Sequence, residues 1–366
     1  MNSRERVLAA ADIRQPDRIP VDFWAVDEVY DRLGEALGVS DKEDVLREVG
    51  ADLRYFRGPG FDIVKPSDDS EETWTDHWGV QRKNHTVYGE RSNGETYTWT
   101  YKHLVRSPLG DAKDISDIEG HPWPEPAELD YSGVAPACSS IRRSQRAVVF
   151  GGDRLDRTAQ LKGAMYLRGT VQFMEDLVLA PGMAECLLEH IAEYYLEYNR
   201  RVFEAAEGKI DIFFMGDDMG TQKSLWVSPD MYRRFFKDRF RRFNELAHQF
   251  GIKSMYHTCG KVTALVGQFV DAGLDILQSL QPAAMGDDLA RLKKEYGKHL
   301  CFQGGIDIQG VLPHGTTAEV DAHVRDRAEM LSGGGGYIFG TAHNILPDTP
   351  TENILALIEA YRKYVS

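Results

Sequence analysis

The sequence has few cysteines, no long apolar run and a deficit of positive charge. Only four of its 366 residues are cysteine, and their irregular spacing argues against a disulfide framework and favours a reducing compartment. No stretch approaches the roughly 20 apolar residues of a membrane span, and the first residues lack the apolar segment of a secretory signal. We therefore predict a cytoplasmic protein that does not enter a membrane.

Negative charge exceeds positive charge, with 57 Asp and Glu against 43 Lys and Arg and a formal net charge of −14. Proteins that bind nucleic acid use clustered Lys and Arg to contact phosphate, so nucleic acid is not an expected partner. Aromatic residues are plentiful, with 16 Phe, 16 Tyr and 6 Trp, and supply a large core. The oligomeric state stays open, with a homodimer among the alternatives.

Short β-rich runs alternate with amphipathic stretches along the chain, a pattern typical of parallel strands joined by helical crossovers. Eight runs are predicted to be strands: Ile19–Trp24, Ala51–Phe56, Ala147–Gly152, Ile210–Met215, Ile252–His257, Leu274–Gln278, Leu300–Gly304 and Tyr337–Gly340. Eight βα units close a (β/α)8 TIM barrel, and such barrels reach this length as one folding unit. We therefore predict a single α/β domain over residues 1–366.

The longest interruption of this alternation, residues 61–145, lies between the second and third predicted strands and is too long for a bare loop. Two segments rich in Thr and aromatic residues, Thr73–Val80 and Glu95–Tyr101, lie on either side of the turn signal Ser92–Gly94. We predict a β-hairpin or meander inserted after the second strand, followed by the Pro-rich connector His121–Pro126.

Active sites of such barrels are built at the carboxyl ends of the strands. The candidates for substrate binding near these ends are Trp24, Arg154, Gln222, Tyr256, Gln278, Gln303, Asp307 and Asn344. Two interpretations stay open for several of them. Arg154 either holds an anionic substrate or neutralises Asp153, and Trp24 and Tyr256 fit ordinary packing at least as well as substrate stacking.

His257 and Cys259 lie two residues apart at the end of the fifth predicted strand, so their side chains point to the same side. His343, at the end of the eighth, is the best placed third donor because all strand ends face one rim. Three N and S ligands with one open position are typical of a catalytic zinc site. The competing interpretation is a chance His-x-Cys pair in which the cysteine is a small buried apolar residue.

Asp217 and Asp218 follow the fourth predicted strand and are the candidate catalytic groups. They are either an acid–base and substrate-orienting pair or solvated loop carboxylates that cap the next segment. Because adjacent residues at a strand end point to opposite sides, we expect only one of them to face the pocket.

Motifs spread through nearly the whole chain resemble the uroporphyrinogen decarboxylase superfamily. They are Arg4–Ala10, Pro16–Val21, Ser228–Tyr232, His257–Gly260, Gly304–Asp307 and Pro347–Ile354. In that superfamily, porphyrinogen decarboxylases need no metal, whereas cobalamin-dependent methyltransferases hold zinc through a His-x-Cys pair and a later Cys. The chain looks like the second branch at His257 and Cys259, but it has His343 where that branch has Cys.

The resemblance implies a zinc-dependent methyltransferase with His257, Cys259 and His343 as zinc ligands. It would move a methyl group between a small methylated substrate, or a thiol or folate acceptor, and a corrinoid (cobalamin) carried by a small partner protein. The residues expected to orient the substrate are Asp217 or Asp218, Gln222 and Gln303.

Two alternatives to the methyltransferase remain. The first is a metal-free decarboxylase of the uroporphyrinogen type, although the arginine-bearing N-terminal segment of those enzymes is replaced here by Phe23–Glu28. The second is a non-catalytic corrinoid-binding protein, which the convergence of polar groups at the strand ends disfavours.

Overall fold

The computed structural model describes residues 1–66, 73–153, 155, 157–286 and 288–365. The strands are β1 (Leu53–Phe56), β2 (Val64–Pro66), β3 (Thr73–Asp76), β4 (Gln81–Glu90), β5 (Thr96–Arg106), β6 (Ala147–Phe150), β7 (Ile212–Asp217), β8 (Lys253–Thr258), β9 (Ile276–Leu280), β10 (Cys301–Ile306) and β11 (Tyr337–Thr341).

The helices are α1 (Ser3–Ala11), α2 (Asp27–Leu37), α3 (Lys42–Glu48), α4 (Ile115–Glu119), α5 (Val134–Arg143), α6 (Leu161–Arg168), α7 (Thr170–Leu179), α8 (Pro181–Ala205), α9 (Pro229–Phe235), α10 (Lys237–Gln249), α11 (Val266–Asp271), α12 (Pro282–Met285), α13 (Asp288–Tyr296), α14 (Val311–His314), α15 (Thr317–Ser332) and α16 (Thr351–Tyr364). Short 3-10 helices cover Pro126–Glu128 and Thr263–Leu265. Among the described residues, no helix combines the length and the apolarity that a membrane-spanning segment requires.

Helix starts follow from local side-chain chemistry. The Ser228 side chain accepts a hydrogen bond from the Met231 amide, and Pro229 occupies the first turn of α9, where its missing amide hydrogen has no consequence. At α1, Asn2 and Glu5 form a reciprocal capping box. These caps fix the residues at which α9 and α1 begin.

The strands β1 and β6 to β11 form one parallel sheet in which consecutive strands are neighbours. Strands β6 and β7 are buried at every position, as expected when both faces of a parallel sheet are covered. These seven strands coincide with the second to eighth predicted runs and differ from them by at most two residues at either end. The predicted parallel α/β architecture is therefore confirmed.

The first predicted strand, Ile19–Trp24, does not form a regular strand. Isolated parallel bridges join Val21 to Phe339 and Ala25 to Ile345, so this extended segment lies beside β11. The strand prediction is wrong here, because the segment pairs at single residues instead of along a continuous ladder.

Side chains hold the extended N-terminal segment in place. Pro20 cannot donate a ladder hydrogen bond, which limits pairing along the segment. The buried Asp52 carboxylate accepts hydrogen bonds from the Val21 amide (2.8 Å) and from the guanidinium groups of Arg6 (3.0 Å) and Arg18 (2.8 Å). A buried carboxylate with this many donors fixes the segment against the start of β1.

Strands β2 to β5 form a separate antiparallel sheet, which lies in sequence between β1 and β6. Its longest pair, β4 and β5, runs from Gln81 opposite Arg106 to Glu90 opposite Thr96, with a shift of register between Gln81 and Arg82. In the turn between them, the Arg91 guanidinium donates a hydrogen bond to the Pro347 carbonyl at 2.8 Å. The insertion therefore contacts the segment that follows β11.

Candidate metal centre

Three potential metal ligands meet at the carboxyl ends of β8 and β11. His257 lies near the end of β8, and Cys259 and His343 follow the ends of β8 and β11. Their donor atoms all lie within 4.8 Å of one another. In a flat sheet the three strand spacings between β8 and β11 would separate them by about 14 Å. The sheet is therefore curled strongly enough to bring inward-facing side chains together.

His257 is fully buried and held as a neutral imidazole. Its Nδ1 is hydrogen-bonded to the Oε1 atom of Gln278, an acceptor, so Nδ1 carries the proton and Nε2 keeps its lone pair. Burial holds the pKa of His257 well below its ordinary value, and the nearby charge of Arg157 lowers it further. A neutral imidazole whose other nitrogen is fixed by a hydrogen bond is the usual form of a metal-binding histidine.

The Cys259 sulfur lies 3.2 Å from Nε2 of His257 and 3.7 Å from the Ser279 hydroxyl. Burial raises the pKa of the thiol to about 12, and the negative charge of Asp218 adds to that effect. The thiol is therefore protonated unless a cation compensates its charge. A bound metal ion provides such compensation, because metal coordination deprotonates thiols.

His343 supplies the third donor. Its ring centroid lies 5.1 Å from that of His257, with the two rings inclined by 70°. Its Nδ1 accepts a hydrogen bond from the Asn344 amide at 2.8 Å. Tetrahedral zinc places N and S donors about 3.5 Å apart, so the set of His257, Cys259 and His343 fits zinc in chemistry and approximately in spacing.

The two candidate carboxylates face different ways. Asp217 is buried and accepts hydrogen bonds from the backbone amides of residues 160–162, at 2.7 to 2.9 Å, so it anchors the start of α6. Burial raises the pKa of Asp217 to about 6. Asp218 lies beside the three donors: one oxygen is 3.8 Å from His257 Nε2, and the other is 2.7 Å from the Lys162 ammonium.

Further candidates surround the three donors. The Trp24 ring centroid lies 6.0 Å from that of His257, and Trp24 and Asn344 line an adjoining cavity. Gln303 is buried and donates a hydrogen bond to Asp22 at 3.0 Å. Trp24 and Gln278 thus contact His257, and the Asn344 amide contacts His343.

Other candidates lie elsewhere. Tyr256 is buried and packs against Phe240, with ring centroids 4.6 Å apart, so the packing alternative accounts for it. It points away from the site because it is adjacent in β8 to the inward-facing His257. Gln222 is exposed, and Asp307 accepts hydrogen bonds from nearby backbone amides before α14. Arg154 lies outside the described residues.

The adjoining cavity has a volume of about 900 Å³ and contains residues that the sequence analysis did not select. Tyr55 and Phe214 form an aromatic wall with Trp24, with ring centroids 5.2 to 5.7 Å apart. Both occupy inward positions of predicted strands, so strand periodicity could have identified them. Arg157 lies over the Phe214 ring at 5.2 Å. Arg157 lies in an irregular loop and has a positive backbone φ of 58°. The sequence has no periodic pattern that predicts the direction of its side chain.

Asp22→Asn is expected to remove a pH-dependent part of the free energy of unfolding. Burial raises the pKa of Asp22 to about 6 in the folded protein, from an ordinary value of 3.8, although Tyr55 and Gln303 donate hydrogen bonds to it. The folded state therefore binds this proton more tightly. Its stabilising contribution is complete below the unfolded pKa and is lost as the pH rises to the folded pKa.

The expected loss is about 2 to 3 kcal/mol between pH 4 and pH 7. It is measured as the difference in free energy of unfolding between wild type and Asp22→Asn across that range, with the exposed Asp27→Asn as the control variant. A difference that stays constant with pH would show that Asp22 keeps an ordinary pKa in the folded protein.

Comparison with known proteins identifies a family and individual relatives. Residues 106–364 match the family described as Uroporphyrinogen decarboxylase (URO-D). A methylcobamide:CoM methyltransferase, MtaA, from Methanosarcina barkeri is 26% identical over 192 residues, which are 52% of this chain and 52% of that protein. The chain thus spans about half the length of that relative. A uroporphyrinogen decarboxylase from Methylococcus capsulatus is 25% identical over 264 residues, 71% of each chain.

Among solved structures, a methyltransferase from Methanosarcina mazei superimposes with a TM-score of 0.69 and 19% sequence identity, covering 100% of both chains. At this identity the likeness establishes the fold. The family match spans well over half of the chain and includes all three potential ligands. The chain belongs to the uroporphyrinogen decarboxylase (URO-D) family.

Proposed function

We propose that the protein is a zinc-dependent methyltransferase that moves a methyl group between a small methylated substrate and a corrinoid carried by a partner protein. The observation that carries this proposal is the convergence of His257, Cys259 and His343 beside a large cavity. Two soft or borderline nitrogen donors and one sulfur donor suit zinc better than magnesium or calcium. The likeness to a methylcobamide:CoM methyltransferase supports a corrinoid as the other methyl carrier.

When bound, zinc supplies a Lewis acid that polarises the substrate heteroatom bearing the methyl group. The chain's own residues prepare the site for this chemistry. Gln278 holds the His257 ring in the tautomer that leaves Nε2 as a donor. Trp24 and Phe214 exclude water from the His257 side of the cavity, which strengthens electrostatic interactions there.

Asp218 is the carboxylate that we assign to proton handling. One of its oxygens lies 3.8 Å from His257 Nε2, and the other lies 2.7 Å from the Lys162 ammonium. There it can accept the proton that leaves a thiol or hydroxyl group as that group binds. Asp217 is assigned a positioning role, because its oxygens are occupied by three backbone amides.

We further propose that the segment 19–25 completes a closed (β/α)8 barrel. Its bridges to Phe339 and Ile345 place it beside β11, and the Asp52 amide donates to the Val21 carbonyl at 2.8 Å beside the start of β1. The segment therefore spans the gap between the two ends of the parallel sheet. On this view residues 1–366 are one domain, and residues 61–145 are an excursion that covers part of its mouth.

A metal-free decarboxylase is the second candidate function. It is favoured by the relative from Methylococcus capsulatus, which matches this chain over 71% of its length. Against it, decarboxylation of a porphyrinogen requires no N and S donor cluster, whereas this cluster lies directly at the cavity. A methyltransferase accounts for both the cavity and the donor cluster beside it.

The two functions are separated by assaying purified protein with methylcobalamin and a thiol acceptor, and with cob(I)alamin and methylated donors, while following the corrinoid absorbance. The same preparation is tested for carboxylate loss from uroporphyrinogen. We expect corrinoid methylation or demethylation and no decarboxylation. Decarboxylation without methyl transfer would replace the proposal by the second candidate, and corrinoid binding without either reaction would indicate a non-catalytic corrinoid-binding protein.

A further inference from the structure

The cavity beside the three donors is positively charged, in contrast to the chain as a whole. Its volume of about 900 Å³ lies in the size range of small-molecule sites, about 300 to 1,000 Å³. Among the described residues that line it, the cationic ones are Lys42, Arg54, Arg57, Arg82, Lys102 and Arg157, and the anionic ones are Glu43 and Asp153. The chain carries a formal charge of −14, so this concentration of positive charge is local to the cavity.

Part of this charge is neutralised within the protein. The Nε and Nη2 atoms of Arg54 donate to the two Glu43 carboxylate oxygens, at 2.7 and 3.0 Å, and its Nη1 atom donates to the backbone carbonyls of Ala51 and Leu53. Lys42 lies 3.3 Å from Asp27. Arg54 and Lys42 therefore contribute less to ligand binding than their formal charges alone would suggest.

Arg82, on β4 of the inserted sheet, is the cation best prepared for a ligand. Its side chain is buried, its guanidinium lies over the Tyr166 ring at 4.6 Å, and it lines the cavity. Arg82 forms a loose ion pair with Asp76, in which Nη2 and the nearest carboxylate oxygen are 3.5 Å apart, and this Nη2 atom has no hydrogen-bond partner among the described residues. A buried donor left in this state is unfavourable by about 1 to 3 kcal/mol, which an anionic ligand would offset.

The remaining wall of the cavity is aromatic. Trp24, Tyr55 and Phe214 line its inner end, next to His257, and Phe61 lines it beside Arg57 and Lys102. Planar ligands pack favourably between such faces. The inner wall thus suits an aromatic ring, while the inserted sheet suits an anion.

We propose that the methyl-bearing substrate is a planar aromatic compound with a carboxylate, whose ring lies against Trp24 and Phe214 and whose carboxylate is bound by Arg82 and Lys102. This inference rests on the proposed function and names its substrate class. It makes the inserted sheet the element that selects the substrate, because Arg82 and Lys102 come from β4 and β5.

The test is calorimetric binding of 4-methoxybenzoate and of its neutral analogue 4-methoxybenzamide to the purified protein. We expect the carboxylate to bind about tenfold more tightly than the amide, as a charge-assisted hydrogen bond to a buried guanidinium predicts. Arg82→Gln should remove this preference, and Lys102→Gln should reduce it by about threefold. Lys83→Gln, which changes the next, exposed residue of β4, should leave it intact.

Equal binding of the acid and the amide by wild type would overturn the inference. Because Lys102 is exposed, Lys102→Gln remains informative even if Arg82→Gln does not fold, and an unchanged preference in that variant also contradicts the assignment. The same titration in Cys259→Ala separates the two proposals. If Cys259→Ala still prefers the carboxylate but transfers no methyl group, the result supports the assignment of the cavity independently of the proposed function.

Discussion

Cys259→Ala is expected to reduce methyl transfer to or from the corrinoid by about a thousandfold or more. This variant removes the sulfur donor, which lies 3.2 Å from His257 Nε2. Loss of one of three protein ligands removes a Lewis acid that lowers the activation barrier by several kcal/mol, and each 1.36 kcal/mol corresponds to a factor of about ten in rate. The measurement is the initial rate of the corrinoid absorbance change at saturating corrinoid.

The matched control is Cys186→Ala. Cys186 is a free, half-buried cysteine on α8, outside the donor cluster. Its replacement should leave the rate within about twofold of wild type, because a surface-proximal substitution away from the site has little effect. Equal activity of Cys259→Ala and Cys186→Ala would contradict any role for the Cys259 sulfur in the reaction.

Gln278→Leu is expected to weaken zinc binding by about 10- to 100-fold, the range seen when the hydrogen-bond partner of a metal-binding histidine is lost. Gln278 is fully buried, and its Oε1 is the acceptor that fixes the His257 ring. Leucine fills similar space but leaves Nδ1 of His257 without a partner. Gln278→Glu restores an acceptor and should recover most of the affinity.

Zinc affinity in these variants is measured by competition with a chromophoric chelator, and unfolding curves check that each variant is folded. Gln268→Leu is the control, since Gln268 is half-buried on α11 and donates to the Pro229 carbonyl, remote from the donors. If Gln278 only supported the fold, its substitution would lower the stability of the protein, but Gln278→Leu and Gln278→Glu would bind zinc with the same affinity. Wild-type affinity in Gln278→Leu would exclude the positioning role.

Much of the parallel sheet was predictable, because its strands are short, β-rich and separated by amphipathic helices. The prediction of the first strand was wrong for two reasons. Pro20 interrupts the hydrogen bonding of the segment, and the distant Asp52 anchors it through side-chain contacts. Such anchoring depends on residues far apart in sequence. Hydrophobic periodicity therefore does not reveal it.

The candidate site was predictable to the extent that strand ends share one rim. His257, Cys259 and His343 meet because the sheet curls, which follows from counting parallel βα units. Tyr256 shows the limit of this reasoning, since its place next to His257 in β8 sends it to the opposite face.

The contribution of the insertion was not predictable. The sequence located a β-rich excursion between β1 and β6, but not that Arg82 and Lys102 would line the cavity. That placement depends on the tertiary contact between the hairpin turn at Arg91 and the segment after β11. Arg157 was missed for a related reason, because its direction is set by an irregular loop.

The zinc site is tested by the metal content of the purified protein, determined by elemental analysis for wild type and for His257→Ala, Cys259→Ala and His343→Ala. We predict about one zinc per wild-type chain and loss of that zinc in all three variants, with Cys186→Ala retaining it. Wild-type protein without zinc after purification in zinc-containing medium, or zinc retained by all three ligand variants, would contradict this prediction.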